Sequence, residues 1–166
     1  MKSFQKIMLT ALPAAILVSS CVKEKDFPDT PVIAFRQYVT YGTDSANCFI
    51  TFKDGDGDIG IQHEDASSPN DLVMTYYYKD PVDGQYKLYD ADGNPANGIQ
   101  SPPYSYRIPN LTPDGQFKAI EGEILIKLRA QPIYGPGHHD VKFEIQLRDR
   151  AGHLSNKVST NEIHIP

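Results

Sequence analysis

The sequence predicts an all-β protein, an antiparallel β-sandwich of about seven short strands. Three observations carry that prediction. After residue 30 the dominant hydrophobic period is two, turn-forming residues interrupt the chain at short intervals, and no segment sustains a 3.6-residue period with helix caps. A length of 166 residues suits one core, and 22% charged with 40% hydrophobic residues describes an ordinary globular chain. Two cysteines exclude a disulfide-stapled scaffold. A net charge of −5, with no Lys/Arg run, leaves no field for a nucleic-acid backbone.

Each strand follows from local pattern. Segments 31–41 and 47–53 are apolar, strand-like runs joined by the turn Gly42-Thr43-Asp44. Segments 71–79 and 85–89 flank Asp83-Gly84, and the second runs into Asp90-Ala91-Asp92-Gly93-Asn94-Pro95. The Pro-rich stretch 93–113 is the least regular and reads as a folded-over loop. In 117–129, Ile120, Ile124, Ile126 and Leu128 alternate with Glu121, Glu123, Lys127 and Arg129, with Leu125 misplaced on the polar side. In 141–148, Val141, Phe143, Ile145 and Leu147 alternate with Lys142, Glu144, Gln146 and Arg148; the final candidate is 157–165. Cys48 sits within an apolar strand, where it acts as a small buried hydrophobe.

Residues 1–20 read as a secretory leader. Lys2 and Lys6 form a cationic start, and Ile7 to Val18 is apolar but shorter than the about 20 residues needed to span a hydrocarbon core. Leu17-Val18-Ser19-Ser20-Cys21 resembles the lipobox of bacterial lipoproteins. That resemblance implies cleavage before Cys21 and acylation of its thiol and amine by fatty-acyl chains such as palmitate. Several chains would make the anchor stable. Cleavage removes Lys2 and Lys6 and no acid, which takes the charge from −5 to −7. Residues 21–30, charged and carrying Pro28, form a tether to a domain spanning 31–166. The Lys/Glu/Asp run after Cys21 resembles the export signal of Bacteroidetes outer-membrane lipoproteins. The expected location is therefore the outer membrane, lipid-anchored, on its periplasmic or surface leaflet.

The tail Arg148-Asp149-Arg150-Ala151-Gly152-His153-Leu154-Ser155-Asn156 resembles the Asp-x-Ala-Gly-Asn-x-Ser turn of many bacterial immunoglobulin-like domains. It departs by the inserted Arg150 and by His153 in place of Asn. With no tryptophan and no second strand cysteine, the domain would lack the antibody core markers. Phe52-Lys53-Asp54-Gly55-Asp56-Gly57-Asp58-Ile59-Gly60 resembles a loop of small Bacteroidetes lipoproteins of unassigned role. The whole layout matches that group, which implies placement and fold but no activity.

The Asp/Gly loop also carries chemistry of its own. Three carboxylates at spacing two repel one another unless a hard cation compensates, and Ca²⁺ seeks six to eight oxygens. The pattern is not an EF-hand, because Ile59 stands at the glycine position and a strand leads in. In an immunoglobulin-like sandwich this loop shares a pole with the last hairpin, so Asp149 and Asn156 join Asp54, Asp56 and Asp58 as candidate ligands. The alternative is a hydrated Asp/Gly turn without metal.

Other constellations are weaker. His138-His139-Asp140 has no supporting ligand cluster, and no nucleophile, phosphate-loop or paired acid/base motif appears. Among the tyrosines, Tyr77 and Tyr104 are candidates for stacking on a sugar ring, although tyrosine also serves ordinary cross-strand packing. The expectation is a monomeric, non-enzymatic envelope module that binds or scaffolds a protein partner, with a structural Ca²⁺. The alternative is a surface glycan-binding lipoprotein of a polysaccharide-uptake system.

Overall fold

The computed structural model describes residues 26–42, 45–61, 70–89, 104–128 and 138–165. Their strands are β1 (Val32–Tyr41), β2 (Ser45–Asp54), β3 (Leu72–Lys79), β4 (Tyr86–Leu88), β5 (Tyr104–Tyr106), β6 (Ile120–Leu128), β7 (Asp140–Leu147), β8 (Val158–Ser159) and β9 (Ile163–His164). One sheet has the order β1-β2-β6. The other runs β4-β3-β7-β8, with β5 also on β3 and β9 also on β7. Every strand pairing is antiparallel. The domain is an immunoglobulin-like β-sandwich.

The expected strands appear with boundaries shifted by a few residues, and two differences have clear causes. The last strand is split, because Val158–Ser159 and Ile163–His164 pair with different parts of β7. Buried Thr160 bridges the interruption: its backbone N–H donates to the Phe143 carbonyl at 2.9 Å, and its Oγ1 accepts from the Phe143 N–H at 3.0 Å. The second difference lies in the Pro-rich stretch, whose residues 93–103 fall outside the described residues. Tyr104–Tyr106 is a strand, in register with Met74–Leu72 on the edge of β3 that β4 also occupies. Three residues are too few for periodicity to betray a strand.

Inward faces follow the period-two pattern. On β2, Ala46, Cys48, Ile50, Phe52 and Asp54 are buried; on β7, Val141, Phe143, Ile145 and Leu147 are buried. Phe143 is enclosed by tyrosines, stacked with Tyr38 at 6.0 Å and edge-on to Tyr76 and Tyr104 at 5.7 and 5.8 Å. This ring cluster forms part of the core in a chain without tryptophan. Burial pushes the Cys48 thiol up to about 12, so it stays a protonated, inert core residue.

Candidate metal centre at the loop pole

The alternation that builds the core also buries one acid. Asp54 closes the inward row of β2 and is fully buried. The chain then turns through Gly55–Gly60, wedged between other segments. The Gly55 N–H donates to the Pro28 carbonyl at 2.9 Å, so the segment leading into β1 lies against this loop. Gly57 has φ 65°, and a Cβ there would fall 2.0 Å from the Lys118 carbonyl oxygen. Gly60 has φ 83°, and its Cβ would fall 2.0 Å from that of Pro109. These glycines serve close backbone approach as well as curvature. Ile59, foreign to an EF-hand, is buried in the core and plugs the loop into it.

Asp54, Asp56 and Asp58 each bring a carboxylate oxygen into one group, all within 4.8 Å of one another. Oxygens sharing one Ca²⁺ lie no more than about 5 Å apart, given bonds of about 2.3–2.6 Å. Part of the cluster is held from within. Asp54 Oδ2 accepts from the Asp58 N–H at 2.9 Å, and Asp58 Oδ2 accepts from the Ala151 N–H at 2.9 Å. Oδ1 of each acid, Asp54, Asp56 and Asp58, is buried with no hydrogen-bond partner among the described residues. Three orphaned carboxylate oxygens in one place are costly for a protein to leave uncompensated. This group could hold a metal ion.

The electrostatics agree. Burial, then the Asp56 charge, lifts the Asp54 carboxyl to about 7, against the Asp58 N–H bond that lowers it. Burial likewise raises Asp58, against the Ala151 N–H, with Asp149 and Asp56 adding to the rise.

The two loops do meet at one pole, as the topology predicts. The Arg150 N–H donates to the Asp58 carbonyl at 3.3 Å, and Arg150 Nη1 donates to the Gly60 carbonyl at 2.6 Å and Asn110 Oδ1 at 2.9 Å. Arg150 also reaches Thr112 Oγ1. The inserted residue of the terminal turn is thus the clasp between loops.

Two of the five candidate ligands stand elsewhere. Asp149 is buried close enough to raise its neighbours, but its oxygens accept from His153, the backbone N–H at 2.7 Å and Nδ1 at 2.9 Å. That bond raises the His153 pKa. Asn156 is engaged away from the acids. Its Oδ1 accepts from the Ile33 N–H at 2.8 Å and its Nδ2 donates to the Ile33 carbonyl at 2.9 Å, so the amide pins β1 to the terminal hairpin. Asn156→Ala should cost about 1–3 kcal/mol by leaving both Ile33 groups unpaired. A urea titration checks this, and calcium affinity should change little.

The sequence missed Asp71, which is buried and accepts the Ile108 N–H at 2.9 Å through Oδ2. It organises the 107–111 segment beside the loop. Period two puts it on the row of Val73 and Thr75, opposite the inward Leu72, Met74 and Tyr76, so alternation offered no signal for its burial.

Tyr77 and Tyr104 do not form one platform. Tyr104 faces inward, edge-on to Phe143, whereas Tyr77 lies on the outer face of β3 beside Lys142. His138 stacks on Tyr78 at 3.8 Å and His139 Nδ1 contacts the Ile165 carbonyl at 2.8 Å. Neither joins a metal-binding group among the described residues. Cys21 lies outside the described residues. Searches of protein-family profiles, curated proteins and solved structures find no match to this chain.

Proposed function

We propose that this is a non-enzymatic module of the cell envelope, anchored through lipid on Cys21, whose sandwich binds or scaffolds a partner at the outer membrane. Ca²⁺ at Asp54, Asp56 and Asp58 locks its loop pole. The observation that carries the metal is the grouping of three carboxylates, each with one buried oxygen that lacks a hydrogen-bond partner among the described residues. Hard oxygen donors and a glycine-rich loop suit Ca²⁺ better than zinc, which takes sulfur and nitrogen ligands. Further oxygens would come from backbone and water. An envelope protein fits the partner role better than a glycan, since Tyr77 and Tyr104 lie on opposite faces of the sheet.

Isothermal titration of the metal-free protein with Ca²⁺ tests the site. One-site binding that Asp56→Asn weakens at least tenfold is expected, and no heat would overturn it. Loss of palmitate incorporation in Cys21→Ser tests the anchor.

The carboxyl shift sets a pH dependence with a definite sign. Asp54 has a folded-state pKa of about 7, against about 4 in an unfolded chain. The native state therefore binds the proton more tightly, and the metal-free protein loses stability as pH rises from about 4 to about 7. Calcium binding must expel that proton, so affinity should climb over the same interval and level off above it. Calorimetry across this range, with and without chelator, checks both limbs.

A further inference from the structure

β6 ends its sheet, and among the described residues no strand pairs with its outer edge. Beside that edge runs an apolar groove of about 410 Å³, lined by Leu72, Tyr106, Ile108, Leu111, Ile124 and Ile126. An edge of this length with apolar surface beside it is a template for another strand.

The outward row of β6 says which strand. It reads Glu123, Leu125, Lys127, and Leu125 is 42% exposed where a polar residue is expected. In an antiparallel pair of identical strands centred on Leu125, that leucine opposes its own copy on the two-fold axis. Glu123 of each chain then faces Lys127 of the other. On the inward row Ile124 meets Ile126, and Gly122 leaves room opposite Leu128. Centring on residue 123 would set Glu123 against Glu123, and centring on 124 would set Glu123 against Leu125. Of these three registers only the one centred on Leu125 is self-complementary. Glu123 accepts from Arg36 of its own chain through Oε2, leaving Oε1 for a second cation. Lys127 has no ion pair among the described residues.

We propose that the protein forms a two-fold dimer through β6, joining two three-stranded sheets into one of six strands, with Leu125 on the axis and Glu123–Lys127 pairs on either side. This replaces the single-copy expectation and is independent of calcium binding. Directly opposed side chains sit about 4.5–5.5 Å apart, so the two charge pairs and the leucine contact together fix the register.

The test is the mass of the full chain by sedimentation equilibrium in density-matched detergent, with chelator present. Wild type should be a dimer. Lys127→Glu and Glu123→Lys should each be monomeric, because every pair then becomes like-charged. Mixing those two variants should restore a dimer, since the lysine introduced in one chain faces the glutamate introduced in the other. The double variant Glu123→Lys/Lys127→Glu should also dimerise, which shows that the single variants fail by repulsion and not by misfolding. A monomeric wild type at every concentration overturns the proposal and assigns the edge to another segment of the chain or to a different protein. Dimers that persist in both single variants overturn it equally.

Discussion

Calcium added to the metal-free protein at neutral pH should raise its melting temperature by about 5–10 °C at a hundredfold excess over Kd. That follows from about 2.7 kcal/mol of linkage stabilisation and the usual sensitivity of a domain this size. Asp56→Asn, with affinity at least tenfold weaker, should remove about half of the rise or more. Asp56 is the informative position because, among the described residues, its side chain accepts no hydrogen bond from the loops, unlike Asp54 and Asp58. In chelator the same variant should melt at or above wild type, since it removes a charge that crowds Asp54. One substitution should thus change sign with the metal. A simple loss of packing would lower both melts alike. Scanning calorimetry of the two proteins in Ca²⁺ and in chelator separates these outcomes.

Gly57→Ala should be among the most damaging small substitutions at the pole, costing about 2–5 kcal/mol. Its left-handed φ of 65° strains any L-residue, and the new methyl would collide with the Lys118 carbonyl, a backbone atom with no rotamer to escape into. Alanine at Gly84, also at positive φ but with nothing within 4 Å, should cost only the conformational part, about 1–2 kcal/mol. The difference between the two unfolding midpoints isolates the collision. Because the collision would push the loop off the 113–118 segment, calcium affinity should fall in Gly57→Ala and stay unchanged in Gly84→Ala.

Much of the sandwich was legible because its long strands are amphipathic. β2 and β7 each bury alternate residues, and the sheets must sit where those faces meet. What escaped were elements whose identity depends on partners. β5 is three residues recruited by the edge of β3, and the split between β8 and β9 is marked by Thr160, whose hydroxyl takes part in the pairing. The carboxylate trio was legible from spacing alone. Its flank was not, because Asn156 could be assigned only by seeing that Ile33 presents both a donor and an acceptor to its amide.

The period-two pattern and the Asp/Gly run by themselves determined that the described residues are all β and that three acids crowd one turn. Only the folded arrangement decided which oxygens are orphaned, which acid His153 claims, and that Arg150 clasps the two loops. The physical reason is range. Alternation and like-charge crowding act between residues a few positions apart, whereas desolvation and hydrogen-bond satisfaction depend on atoms that are neighbours only after the chain has closed on itself.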